Sequence, residues 1–295
     1  MMGNESYRFR VGIFECIAVS DGTHTYAPPT FPPPAPFLFA NAPRERLEQV
    51  LGEHNLHPEH WAEWISPYIC AVIETGEHRV LLDTGAGDLG PDTGKLLENL
   101  KGEGITPEDI DTVILTHGHP DHIGGNTDSE GKLTFPKAHY FMWRDEWDFW
   151  TSGQAEQAYD EHSRDVLVGY AQKNLPPIQD RLDLIDKETE IVPGIRAIAA
   201  PGHTPGHIAL SIVSGGEELL YISDALLHPI HLRQPEWSAA VDLLPEQMVV
   251  SRRMLLNRAA GEKALVLVFH FPFPGLGHIV REREAWQWQP IETTG

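Results

Sequence analysis

The chain has 295 residues, 41% of them hydrophobic, and a formal charge of −21 from 43 acidic against 22 basic side chains. That length and composition fill an ordinary core as one large domain or two modest ones, which excludes overall disorder. A surface so acidic repels phosphate backbones and anionic lipid, so neither nucleic acid nor a membrane is expected as a partner. The opening MMGNESYRFR carries no apolar run of the signal-peptide kind, and no apolar stretch reaches the ~18 residues of a membrane span. A cytoplasmic protein is therefore expected.

In chain order, RVGIFECIAV (10–19) reads as a first strand, followed by the Pro-rich YAPPTFPPPAPF (26–37). Prolines at that density cannot continue a helix or sit in a central strand, so an extended loop carrying aromatic residues is expected, placed as a flap over a pocket. PRERLEQVLGEH (43–54) has apolar residues at helical spacing. PYICAVIET (67–75) and RVLLDT (79–84) are strands joined as a hairpin through TGEH. PDTGKLLENLKGEG (91–104) is again helical, and Thr106-Pro107-Glu108-Asp109 has the cap, proline and acid order of a short helix start.

DTVILT (111–116) reads as a strand covered on both faces, and THGHPDHIGG (116–125) follows it directly. AHYFMW (138–143) is a further strand, a polar-rich segment near 155–174 is helical, and RAIAA (196–200) is a strand. HIALSIV (207–213) and ELLYIS (218–223) form a second hairpin through SGGE. A helix over 244–263 and the strand ALVLVF (264–269) complete the set. Strands and helices are mixed throughout, with no repeat and no linker, which points to one α/β domain over 1–295. Cys16 and Cys70 fall in apolar strand-like runs and are read as two free core thiols.

The chemistry concentrates where DTVILT ends. His117 and His119, two apart, point to one side of an extended backbone. Asp121 and His122 follow the turn set by Pro120 and address a second point in space. Imidazole and carboxylate crowded in this way are metal ligands. Three further candidates stand at strand ends downstream: His203 after RAIAA, Asp224 after ELLYIS and His270 after ALVLVF.

In these residues and their order, the sequence resembles the metallo-β-lactamase-fold hydrolase superfamily. LLDTGAGD (81–88), THGHPDHIGG, PGHTPGH (201–207), SDALLH (223–228) and FHFPFPGLGH (269–278) carry the resemblance, in that order, over roughly residues 65–280. It implies a four-layer αββα sandwich with a dinuclear site at one edge. One metal would take His117, His119 and His203, the second Asp121, His122 and His270, and Asp224 would bridge them. Asp83 would orient ligand histidines, and His207 would pack or support. Two divalent ions are expected, zinc first, with iron, manganese or cobalt also compatible.

The implied activity is hydrolysis of an ester, lactone or organophosphate bond by a bridging hydroxide, with Asp121 and Asp224 as its acidic residues. An aspartate at 224 disfavours β-lactam hydrolysis. The superfamily's lactonases place a tyrosine three residues after the bridging aspartate, where this chain has Leu227. FHFPFPGLGH and the aromatic run FMWRDEWDFW resemble methyl parathion hydrolase-like enzymes more than the N-acyl homoserine lactonases. An iron-dependent sulfur dioxygenase and a glyoxalase II-like thioester hydrolase are the alternatives. Trp147, Trp150 and Phe273 are expected to line the substrate pocket with the Pro-rich loop. His228, His231 and His278 lie off the pattern. The resemblance also makes a homodimer plausible.

Overall fold

Apolar residues recurring at every second position build this architecture. In a computed structural model, which describes residues 5–293, the chain makes two seven-stranded sheets that meet across a shared core. The first sheet takes its strands in sequence order: β1 (Ser6–Val11), β2 (Phe14–Tyr26), β3 (Trp64–Glu74), β4 (Arg79–Leu82), β5 (Thr112–Ile114), β6 (His139–Trp143) and β7 (Leu182–Ile185). The second is β8 (Glu190–Val192), β9 (Ile195–Ala199), β10 (Ile208–Ser214), β11 (Glu217–Tyr221), β12 (Leu265–Leu267), β13 (Leu276–Glu282) and β14 (Ala285–Pro290), again with sequence neighbours side by side. Pairing is antiparallel from β1 to β4 and parallel from β4 to β7, and in the second sheet only β11 and β12 run parallel.

The helices are α1 (Pro34–Leu38), α2 (Arg44–Glu53), α3 (Leu96–Gly102), α4 (Pro120–Ile123), α5 (Arg144–Thr151), α6 (Gln154–Ala158), α7 (Glu161–Asn174), α8 (Ile230–Arg233) and α9 (Pro245–Glu262). Strand periodicity sorts the second sheet cleanly. Ile208, Leu210, Ile212, Leu219, Tyr221 and Leu267 face the first sheet, while Ala209, Leu220, Val266 and Val268 face α9. That helix answers with Met248, Leu255, Leu256 and Ala259, one apolar stripe at helical spacing. Leu96 and Leu100 of α3, Phe149 and Trp150 of α5, and Val168 and Ala171 of α7 pack on the first sheet's strands. The result is the four-layer sandwich that the motifs imply. Cys16 and Cys70 are both buried as free thiols, and no helix among the described residues is long and apolar enough to cross a membrane.

Several boundaries differ from the sequence reading for identifiable reasons. The expected strand 10–19 is a hairpin: Val11 pairs with Phe14 around Gly12 and Ile13, and Gly12 takes φ 56°. An unbroken apolar run hid a two-residue turn there. The helix expected over 91–104 begins only at Leu96, because the buried Asp21 carboxylate accepts from the Gly94 and Leu96 amides and holds the preceding turn. The segment near 155–174 breaks into α6 and α7, with Asp160 capping α7 through the Ser163 amide at 2.8 Å. The Pro-rich stretch is not extended throughout: Pro34 occupies the first turn of α1, where a missing N–H costs nothing. α5, inside the aromatic run, and the strands β1, β7, β8, β13 and β14 were not expected.

Leu210 is fully buried at the seam between the sheets. Leu210→Ala should lower the unfolding free energy by about 2–5 kcal/mol, read as a shifted urea midpoint at unchanged slope.

Candidate metal centre

Four strand ends meet at one edge. β5 continues through the buried Leu115 and Thr116 into His117, and His119 is the N-cap of α4, whose first turn carries Asp121 and His122. This tight path relies on glycine twice. A Cβ on Gly118 would meet the Trp150 indole nitrogen at 2.3 Å, and one on Gly124 would meet the Ala86 carbonyl oxygen at 2.3 Å. His203 follows β9, Asp224 lies in the turn after β11, and His270 comes three residues after β12. β9, β11 and β12 share one direction, so these three ends fall on the same side.

The seven side chains converge as two groups sharing one carboxylate. The ligand atoms of His117, His119, His203 and Asp224 all lie within 4.8 Å of one another, as do those of Asp121, His122, Asp224 and His270. His117 Nε2 is 3.0 Å from His119 Nδ1, which is 2.9 Å from His203 Nε2. Asp224 Oδ2 lies 3.2 Å from His203 Nε2 and 3.0 Å from His270 Nε2, and Oδ1 lies 3.1 Å from His122 Nε2. Asp121 Oδ2 is 3.6 Å from both His122 Nε2 and His270 Nε2. All seven residues are at least nine-tenths buried.

The electrostatics of this cluster call for positive charge. Burial, and then the neighbouring imidazoles, hold His117 and His119 well below the usual histidine range, so both present neutral lone pairs. Burial pulls His122 down as well, but Asp224, Asp121 and Asp83 outweigh it and raise it well above that range. His203 likewise overcomes burial through hydrogen bonds to Asp224 and Asp242 and rises to about 9. The Asp224 carboxyl is held far down, against burial, by His270 and His122. His122 Nε2 is a buried atom with no hydrogen-bond partner, although it points at Asp224. Lone pairs aimed at common points, an orphaned ring nitrogen and two buried carboxylates together fit two divalent cations with N/O ligands.

The other nitrogen of each key imidazole is held from behind. Asp83, fully buried and in the left-handed region at φ 58°, accepts from His122 Nδ1 at 2.8 Å, the Thr116 amide at 2.7 Å and the Tyr221 hydroxyl at 2.8 Å. Sequence reasoning missed the corresponding partners elsewhere. Asp242 accepts from His203 Nδ1 at 2.8 Å, and Ser66 Oγ lies 2.7 Å from His270 Nδ1. Glu146 of α5 ties two ligand loops together: it accepts from the Gly118 amide, the Trp150 indole, the Thr204 hydroxyl and the Gly206 amide at 2.6–2.9 Å. A single carboxylate in a helix or loop carries no spacing signal, so nothing local could have singled these out.

The sequence model of the metallo-beta-lactamase superfamily matches residues 69–270. The chain belongs to that superfamily. Among curated proteins it is 28% identical over 167 residues to an N-acyl homoserine lactonase of Bacillus cereus, covering 50% of this chain and 58% of that one. This chain thus spans little more than half the length of that relative. It is 26% identical over 226 residues to an N-acyl homoserine lactonase of Bacillus thuringiensis, covering 69% of this chain and 81% of the other. Among solved structures, AidC, a dizinc quorum-quenching lactonase in complex with a product, superposes with a TM-score of 0.87 at 27% identity, over 99% of this chain and 100% of the other. The hydrolase AbOPH, also of the beta-lactamase superfamily, gives 0.87 at 26% identity over the whole of both chains.

In this metallo-beta-lactamase-superfamily chain a cavity of about 400 Å³ opens onto the centre. His119, Asp121, His203, Asp224 and His270 form its floor, and Tyr26, Phe31, Phe37, Trp64, Leu227 and Val241 make an apolar wall. Part of the Pro-rich segment therefore does stand over the site. The three residues expected to line the pocket do not. Trp150 is buried behind the ligand loop, its ring 5.7 Å from that of His119 and its N–H bound to Glu146. Trp147 packs against the main core, and Phe273 is 38% exposed away from the cavity lining. A helix begins at Arg144, and its register turns these tryptophans inward. His207 closes the turn between β9 and β10, donating to the Ala200 carbonyl while its Nε2 accepts from the Asp224 amide. His228, His231 and His278 bond backbone groups outside both ligand groups.

Asp242→Ala frees His203 Nδ1 and should weaken cobalt binding by the His117/His119/His203 group by about 10–100-fold. Titration of the apoprotein followed by visible absorption reads this directly, and unchanged affinity would show that Asp242 does not support the ligand.

Proposed function

We propose that this chain is a dinuclear metal-dependent hydrolase that opens the ring of an acyl lactone. The observation that carries the reading is two buried ligand groups, sharing Asp224, at the floor of an apolar-walled cavity. Similarity to lactonases at 26–28% identity supports the substrate class. Zinc suits the imidazole-rich donor set and is the metal named for AidC.

His117, His119 and His203 would hold one cation, Asp121, His122 and His270 the other, with Asp224 on both. Bound there, the cations supply Lewis acidity and, at neutral pH, a hydroxide nucleophile. Everything else falls to the chain. The apolar wall takes the acyl chain and keeps water from its side of the carbonyl. Asp121, in the first turn of α4 and lining the cavity floor, is placed to take the proton that water gives up in forming the nucleophile and hand it to the alkoxide released when the ring C–O bond breaks, leaving a hydroxy acid as product. Asp83, Asp242 and Ser66 keep the imidazoles oriented throughout.

The reading treats 1–295 as one domain, since both sheets contribute to one core. It takes a small molecule as the only substrate class, in keeping with the acidic surface, and keeps a cytoplasmic homodimer as the working form. A phosphotriester is favoured instead by the resemblance of FHFPFPGLGH and FMWRDEWDFW to methyl parathion hydrolase-like enzymes, and Leu227, which lines the cavity where lactonases of the superfamily have a tyrosine, bears against a tyrosine assist.

The deciding measurement compares kcat/KM for a long-chain acyl homoserine lactone and an aryl phosphotriester on one metal-reconstituted preparation. Lactone preference of about a hundredfold, on the order of 2.7 kcal/mol in barrier, is expected; the reverse preference overturns the lactone reading. Asp224→Ala should lose bound metal and activity together, and full activity with two metals in that variant would sink the site assignment. A single iron per native chain would favour the sulfur dioxygenase alternative.

A further inference from the structure

His24 belongs to neither ligand group, yet it lines the same cavity. It sits on β2, where it pairs with Ser66 of β3, just as Tyr26 pairs with Trp64. Directly paired residues project to the same face, as do residues two apart. His24, Ser66, Tyr26 and Trp64 therefore share one face of the β2–β3 ribbon. Ser66 is the residue that bonds the ligand His270. His24 thus stands one cross-strand step, about 5 Å between Cβ atoms, from the support of the metal centre. The aromatic wall continues beyond it.

The imidazole is half-buried, packed by Gly90 on its Nδ1 side and by three aromatic rings. Tyr26 and Phe31 meet it edge-on at 4.9 and 5.7 Å, and Tyr68 lies parallel at 6.4 Å. Among the described residues neither ring nitrogen has a hydrogen-bond partner. Burial lowers its pKa, with Asp121 pulling the other way, so the neutral form offers one donor and one acceptor. The cavity therefore brings together cation ligands at its floor, one unpaired imidazole at its side, and an apolar wall whose Trp64 reaches the His270 ring at 5.8 Å. An amide-bearing lactone carries the same three parts: a reacting ring carbonyl, an amide on the next carbon and an alkyl chain. An alkyl lactone lacks the middle group.

We infer that His24 is a specificity residue that hydrogen-bonds the side-chain amide of an N-acylated amino-lactone. The inference rests on the lactonase reading and goes further, because it says how the enzyme separates amide-bearing lactones from plain alkyl lactones of similar length.

The test measures kcat/KM for N-octanoyl homoserine lactone and γ-dodecalactone with wild type, His24→Phe and His24→Gln, after confirming equal metal content and melting temperature. His24→Phe should fall about tenfold further on the amide lactone than on the alkyl lactone, the worth of one hydrogen bond at ~1.4 kcal/mol. His24→Gln, which keeps a donor and an acceptor, should recover most of that difference. Equal losses on both substrates would make His24 a wall residue only, and no loss on either would remove it from recognition; each outcome overturns the inference while leaving the lactonase reading intact. Failure of metal-loaded wild type to open either lactone would overturn both. If His24→Phe does not fold, His24→Gln against wild type decides: a substrate ratio shifted further than tenfold overturns the inference.

Discussion

Everything at this site follows from the cost of burying charge. Asp121 and Asp224 are nearly inaccessible, and the ring nitrogens of five histidines crowd about them. A carboxylate taken out of water without compensation is strongly unfavourable. In this protein the compensation is positive charge held among imidazoles, either as protons on His122 and His203 or as cations that displace them. The surrounding structure answers the same demand. One layer out, Asp83 and Asp242 accept from His122 and His203, the imidazoles that carry that positive charge, and each is fixed by further hydrogen bonds of its own.

Precision comes from strand ends rather than from the ligand loops themselves. β5, β9, β11 and β12 are short and mostly buried, and each delivers its ligand within a few residues of its last ladder pair. Where the chain leaves a strand it is tied at once. Thr116 bonds Asp83 and Ser223, His207 holds the Asp224 amide, and Arg252 of α9 donates from inside the core to the Ala225 carbonyl at 2.7 Å. Each ligand-bearing turn is thus held by hydrogen bonds of its own, which is what catalysis by positioned charge requires.

Much of this was legible in the sequence, and the unread part has a pattern. His117, His119, Asp121 and His122 announce themselves by density, and His203, Asp224 and His270 by standing after apolar runs. The major buried strands were legible because β-branched and aromatic residues cluster there. What escaped depends on tertiary partners. Glu146 is one of 43 acidic residues, and only the fold shows that it joins Gly118 to Gly206. Trp150 reads as pocket lining until α5 sets its direction. β13 and the edge strand β14 flank the charged REREA, and the Trp-Gln-Trp-Gln alternation of β14 is too short to stand out beside it. Turns such as Gly12-Ile13 vanish inside continuous apolar runs, since period alone does not reveal a reversal of direction.

The division of the chain between sheets has a consequence for assembly. Residues up to Ile185 build one sheet and residues from Glu190 onward the other. Both ligand groups straddle that division, with His117 and His119 set against His203 and Asp224, and Asp121 and His122 against Asp224 and His270. Neither half supplies a complete ligand group by itself. Cations bound here act as rivets across the seam between two independently threaded halves, so their binding energy adds to sheet–sheet docking rather than to the internal cohesion of either sheet. Cations held by both halves would favour the docked sandwich over separated sheets, and the edge they span would be the part of the seam that gains most from them.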